Sequence, residues 1–379
     1  MIAAAPVSLA GRERARRRAG GAAMAIRALV ALATAAACGG GGAPAAVGPA
    51  EPPPAGAERL LAMLPQGAQI VVEVDLARLR ANPVIGPVVT RALAEPPPPA
   101  PDAAPAAAWL RAVLRGAPPG EPPADPAPAE PPLAAADQVV LAAYGVGTAQ
   151  AATLTLLAAP RDIAGATRLA DGAYAIGPPE WIEQAQQRIA LATTGNAALA
   201  VRPAPELIEL RAHAMPAEAP GASLRIAARL SFDARIALVR QTGIDTPPAQ
   251  LSAWADVADD LALVIDCDAA DPGSGPAGRS SGASAGGRRG DPARRLAAAV
   301  RAMLGAVADQ PTIRSLGLPP SHTGARLVAR GTWVRAIIAV GPEHLRRVAE
   351  RAAGLLGAPP APPAASSPSP VPPRGDPPS

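Results

Sequence analysis

From residue 223 to 232 the chain alternates. Leu224, Ile226, Ala228, Leu230 and Phe232 fall on one side, and Ser223, Arg225, Arg229 and Ser231 on the other. A period of two is the signature of a β-strand, and it fixes which side chains face the core. Arginine on the off-face implies water there, so the expected sheet is antiparallel and open on one side. Gln69 to Asp75 repeats the pattern, with Ile70, Val72 and Val74 opposed to Val71, Glu73 and Asp75. It reads as a half-buried strand, with Asp75 capping a helix that carries Leu76 and Leu79. Leu261, Leu263, Ile265 and Cys267 form a further strand face.

Turn chemistry pairs the other strands. Gln138–Gly145 and Ala149–Ala158 flank Gly147-Thr148, and Ala325–Arg330 and Trp333–Val340 flank Gly331-Thr332. Both read as hairpins with Gly first in a two-residue turn, which suits type II′. Gly172 to Ile176 is a further strand, broken by Gly177-Pro178. Helical spacing is expected over Glu58–Leu64, Arg161–Ala170, Pro179–Leu191, Glu206–Met215 and Ala234–Thr242, the last capped by Asp233. Asp291-Pro292 opens a helix with Leu296, Val300, Met303, Leu304 and Val307 inward. Another follows Gly341-Pro342, with Leu345, Val348, Ala349, Ala352, Leu355 and Leu356 as its stripe. Ala106–Arg115, with Trp109, Leu110, Val113 and Leu114 on one face, is a short helix slung between Pro-rich loops at 95–106 and 116–132, which cannot supply ladder or helix-interior hydrogen bonds.

The fold class is therefore α+β: antiparallel sheets with helices packed on one face. The joints Ala175-Ile176-Gly177-Pro178 and Ala339-Val340-Gly341-Pro342 align without a gap, and Ala136-Asp137 resembles Ala258-Asp259. These matches suggest two diverged copies of one module, at 58–215 and 216–357. Residues 271–290 read as a disordered Gly/Ser/Arg insert in the second copy, and 358–379 as a disordered Pro/Ser tail.

The amino-terminal stretch carries an address. Arg27 precedes an uncharged run, Ala28 to Ala37, which is short for a bilayer span of about 20 residues but fits the h-region of a signal peptide. Ala35-Ala36-Ala37 then leads into Cys38. The arrangement resembles the lipobox of bacterial lipoproteins, with Ala35 where that family more often has Leu. The resemblance implies a signal peptide over 1–37 (with Met24 as the start), lipidation of Cys38, and a lipidated Gly/Pro tether over 38–57. Several acyl chains on one residue give stable anchoring. Gly39 follows the cysteine where inner-membrane members of the family tend to have Asp, which implies the outer membrane. Farther on, Leu64-Pro65, Ala68, Ile70-Val71-Val72, Val74-Asp75-Leu76 and Leu79 are similar to the opening of a loose group of exported bacterial proteins without a known activity.

Charge excludes one class of function. The chain's formal charge is +4, but six of its 35 basic residues and one of its 31 acidic residues lie within 1–37, so the remainder is near neutral. Four Trp, two Tyr and one Phe cannot build the stacking platforms of a single-strand binder. No nucleic-acid partner is expected.

Residues with chemical potential are few. Asp266 and Asp268 share a strand face roughly 7 Å apart, and Asp271 follows in a loop. They are the best metal candidates, but their spacing is not that of an EF-hand and no bidentate Glu follows. Ser321-His322 is the only serine–histidine adjacency in the sequence and the hydrolase candidate, but adjacency alone defines no triad. His213 and His344 sit on expected helices without partners at ligand spacing. Cys267 reads as a small core residue. The expected function is a non-enzymatic, membrane-anchored lipoprotein with a binding or scaffolding role in the cell envelope and no cofactor. Its partners would be the membrane, through lipid on Cys38, and an envelope protein. The alternatives are a periplasmic hydrolase and a small-ligand or lipid carrier.

Overall fold

The computed structural model describes residues 55–94, 131–193, 205–216, 219, 221–242, 247–268, 292–308, 316 and 325–355. The elements, in order, are α1 (Ala55–Met63), β1 (Ile70–Asp75), α2 (Leu76–Ala81), α3 (Gly86–Ala94), α4 (Pro132–Ala135), β2 (Gln138–Tyr144), β3 (Ala152–Ala158), β4 (Thr167–Ala170), β5 (Ala173–Ile176), α5 (Pro179–Thr193), α6 (Pro205–Arg211), β6 (Leu224–Arg229), α7 (Phe232–Thr242), β7 (Gln250–Val257), β8 (Leu261–Asp268), α8 (Pro292–Ala308), β9 (Ala325–Arg330), β10 (Trp333–Val340) and α9 (Pro342–Leu355). Cys38, the tether to residue 54, Ala106–Arg115, Asp271, the 271–290 insert, Ser321, His322 and the tail lie outside the described residues.

The class is α+β, built on one ten-stranded sheet in the order β4-β5-β3-β2-β1-β6-β7-β8-β10-β9. Every neighbouring pair is antiparallel. Outward from the central β1–β6 pair, each half runs through the same succession. The first strand is followed by a helical crossing, a second and a third strand, then a hairpin whose later strand pairs inward and whose earlier strand forms the edge. The strand-Gly-Pro-helix joints fall at equivalent places, after β5 and after β10. The Ala-Asp pairs do not: Ala136-Asp137 precedes the second strand of its half and Ala258-Asp259 the third.

The helices occupy both faces, where one was expected. On one face α7, α8 and α9 pack through Ala234, Leu238, Leu296, Val300, Leu304 and Leu345 onto Ile226, Ala255, Leu263, Ile265 and Val340. Leu76 and Leu93 of α2 and α3 pack on the same face in the first half, against Val139, Leu157 and Tyr174. On the opposite face α1, α5 and α6 bring Leu60, Leu61, Ala185, Leu207 and Leu210 onto Val71, Val140, Ala142, Leu154 and Leu156. We call this second side the charged face. Its central strands are thus covered, and β1 is buried on both sides rather than half-buried.

Local details differ from expectation for identifiable reasons. Arg161–Ala170 is loop and then β4, because Asp171-Gly172 closes a β4–β5 hairpin that draws Thr167–Ala170 into the sheet. The β2–β3 connection is a seven-residue loop from Gly145 to Ala151 and not a two-residue turn. The first-turn N–H of Ala234 is taken by Ser231 Oγ, so Ser231 rather than Asp233 caps α7. Asp75 does cap α2, accepting from the Arg78 N–H at 2.8 Å.

Candidate functional site

The charged face of the central sheet, where off-face arginine in the sequence implies water, carries buried ionic groups instead. Glu73 on β1 lies opposite Arg225 on β6. Both are buried, at 6% and 8% exposure. Arg211, at the end of α6, closes over them. It pairs with Glu73 through Nε and with Glu58 of α1 at 2.7 Å, while Arg225 reaches Glu73 at 3.9 Å. Burial holds the Glu73 carboxyl above its ordinary range, against the pull of Arg211 and then Arg225. The network ties α1 and α6 to the centre of the sheet. Between these two helices a small apolar cleft is lined by Leu61, Leu64, Leu207 and Ile208, with Arg211 at its margin. Its free volume of about 10 Å³ holds roughly one water molecule.

A second network lies farther along the same face. Asp266 on β8 is opposite Ser252 on one side and Arg335 of β10 on the other. Its side chain is 2% exposed. Arg335 grips it with Nε at 2.8 Å and Nη2 at 2.6 Å. His213 Nδ1 meets Asp266 Oδ2 at 2.8 Å, and the imidazole stacks on Trp333 with centroids 3.9 Å apart. Arg335 Nη2 also donates to the His213 carbonyl at 3.0 Å, and the Ala214 N–H donates to Ser252 Oγ at 3.1 Å. Together these bonds clamp residues 213–214, which follow α6, onto the sheet. Beyond them Trp254 Nε1 donates to the Gly221 carbonyl, and Asp256 accepts from Arg78 and from Ser223 Oγ.

The sequence-derived candidates can be placed against this geometry. Asp266 and Asp268 do share a face, but the Asp266 carboxylate is bound by a guanidinium and an imidazole, which leaves it no geometry for a cation. No group of three metal-ligating side chains occurs among the described residues. His213 has the partner that its sequence neighbours could not reveal, 53 residues away. His344 sits in α9, its pKa lowered by partial burial and then by Arg347 and Arg351. Cys267 is fully buried in the core, and burial pushes its thiol up to about 12. Gly-x-Ser-x-Gly, the pattern of a hydrolase elbow, is spelled twice in the Gly/Ser insert, around Ser280 and Ser284. Each serine lies several residues from both the end of β8 and the start of α8.

The third feature is apolar. On the charged face, β9 and β10 present Val328, Ile337 and Ala339 beside Trp333, and no helix among the described residues covers them. Val328 and Ile337 are each 37% exposed. Arg326 and Arg330 flank the strip, facing Ile337 and Trp333 across the ladder.

No family model and no curated protein matches the sequence. Among solved structures the chain is similar to TP0453. Crystal form I of that protein shares 7% identity over 78% of this chain and 97% of its own, with a TM-score of 0.35. Form III shares 8% over 76% and 96%, with a TM-score of 0.34. Likeness at that level carries no functional argument. Among the described residues no helix is long and apolar enough to cross a membrane.

Proposed function

We propose that this chain is a non-enzymatic lipoprotein of the cell envelope, anchored through Cys38 to the outer membrane, whose folded body binds or scaffolds another envelope protein. The observation that carries the binding role is the exposed pair Val328 and Ile337, beside Trp333, which no helix among the described residues covers. Apolar surface held outside any cavity and rimmed by charge marks a protein contact more than a ligand pocket. The carrier reading needs a large apolar cavity, and the cleft between α1 and α6 has room for about one water molecule. The anchor rests on the Ala35-Ala36-Ala37-Cys38 leader.

One test addresses both parts. In a diderm host, Cys38→Ser should move the protein from the outer-membrane band of a density gradient to the soluble fraction. A photoreactive residue at position 328 of the anchored parent should cross-link to a protein. Unchanged fractionation of the serine variant would remove the anchor from the reading. A parent that cross-links to no protein would remove the scaffold role.

A hydrolase reading draws on His213 and Asp266, because a buried carboxylate meets Nδ1 of a half-exposed imidazole, the pairing that orients a general base. Two facts weigh against it. Arg335 already neutralises Asp266, and Trp333 covers one face of the ring.

A further inference from the structure

The two halves of the sheet differ in one respect that identifies what the exposed strip fits. In the first half, α5 crosses the charged face of β3 and β5. Its Trp181, Ile182, Ala185 and Ile189 seat on Leu154, Leu156, Ala173 and Ala175, and Trp181 stacks on Tyr144 at 3.9 Å. Ala173 and Ala175 are each 1% exposed as a result. The gapless alignment of the joints places Ile337 and Ala339 at the corresponding positions of β10. There the following helix, α9, turns to the opposite face and packs Leu345 into the other core. In Ile337 and Ala339, β10 therefore retains part of the apolar sheet surface that α5 covers in the first half, and no helix among the described residues covers it.

The dimensions and charge of this surface narrow its occupant. Two strands about 4.8 Å apart make a strip one helix wide, since a helix with its side chains is about 10 Å across. His213, stacked on Trp333, stands beside its inner end. Residues 325–340 carry three arginines and no carboxylate. Arg335 is consumed by Asp266, whereas Arg326 and Arg330 have no ion pair among the described residues. Arginine on an edge strand also discourages sheet-to-sheet association, which argues against a second copy joining through β9. We propose that the charged face of the β9–β10 hairpin docks an acidic amphipathic helix of a partner protein. The partner's apolar stripe would lie over Val328, Ile337 and Ala339, and its carboxylates would meet Arg326 and Arg330. This inference rests on the binding role proposed above and names the chemistry of its partner.

The probe is a labelled peptide with the sequence of residues 179–193 carrying R188E, titrated by fluorescence anisotropy into the full chain carrying Cys38→Ser. Because the lipid is absent, failure here leaves the anchor untouched, and failure of the anchor does not affect this titration. The parent should bind this acidic peptide at least about tenfold more tightly than a peptide in which Glu180 and Glu183 are replaced by Arg, a difference of about 1.4 kcal/mol. Ile337→Asp, and independently Val328→Asp, should weaken binding by a similar factor or more while leaving the melting temperature unchanged. Arg326→Glu with Arg330→Glu should invert the preference between the two peptides. Equal binding of both peptides, or binding that ignores Ile337 and Val328, overturns the proposal. So does retention on phosphatidylglycerol vesicles with no peptide binding, which would make a lipid surface the occupant. A dimer abolished by Ile337→Asp would make it a second copy. Peptide binding that appears only after deletion of residues 95–130 would make it a segment of this chain, and overturns the proposal equally.

Discussion

Replacing Arg211 by Met isolates the ionic network at the centre of the sheet. Methionine preserves most of the apolar stem, so the change removes charge more than packing. Glu73 would then keep only Arg225, at 3.9 Å, while remaining buried. Removing one partner of a buried ion pair costs about 3–5 kcal/mol because the other charge is left uncompensated. The pH dependence makes the cause identifiable. The folded-state pKa of Glu73 is already raised by burial, and loss of Arg211 raises it further. For a group whose folded pKa is raised, the associated stability is fully present below the unfolded value of about 4.5 and is lost as pH rises through the folded value. The cost of Arg211→Met should therefore be small near pH 4 and grow toward neutrality. Urea unfolding of parent and variant across that range gives the curve. Adding Glu73→Gln to the variant should flatten it and return most of the lost stability at neutral pH. A cost that is the same at pH 4 and pH 7, or one that Glu73→Gln does not relieve, would refute electrostatics as the reason α6 is held to the sheet.

Two further changes probe other parts of the scaffold. Asp266→Asn would leave Arg335 and His213 without their shared carboxylate; a loss of about 2–4 kcal/mol is expected in urea unfolding, together with earlier protease cleavage after α6, where residues 213–214 would be released. Gly147 has φ +86, and a Cβ there would lie 2.7 Å from the backbone of Asp233 and Ala234. Gly147→Ala should cost at least about 2 kcal/mol, whereas Gly67→Ala, also at φ +86 but with open space around it, should cost only the left-handed penalty of about 1 kcal/mol; equal melting temperatures for the two variants would show that the β2–β3 loop does not rest on the start of α7.

How much of this was legible in the sequence depends on the range of the interaction. Several residues whose partners are near in the chain read correctly, although Arg161–Ala170, the Gly147-Thr148 turn and the Asp233 cap did not. The alternation in β1, β6 and β8 assigned Ile70, Ile226 and Leu263 to one core, and Asp75 capped the helix that it directly precedes. Errors of burial and partner arose where a distant segment changed the meaning of a local pattern. Arg225 on an off-face implies water only if no carboxylate faces it. Glu73 faces it from β1, and Arg211 completes the charge balance from a helix in between. His213 had no partner at ligand spacing because its partner is Asp266, two strands and a helix later.

Interaction range also explains why the sequence does not reveal the apolar strip. Trp333, Ile337 and Ala339 alternate with Val334, Ala336, Ile338 and Val340, so apart from Arg335 the sequence shows a β10 that is apolar on both faces, as a strand covered twice should be. Nothing in that pattern says whether the second cover comes from this chain. The joint at Gly341-Pro342 matches the joint at Gly177-Pro178, which favours a helix returning to the same face, as α5 does. The difference lies in the stripes the two helices carry. The α5 stripe offers Trp181 and Ile182 to a sheet face lined by Tyr144 and small alanines. In α9, Leu345 is drawn instead to the face where Leu261, Leu263 and Leu296 already form a deep core. Burial of Leu345 in that core accompanies the turn of α9 away from the Ile337 side of β10, which no helix among the described residues covers.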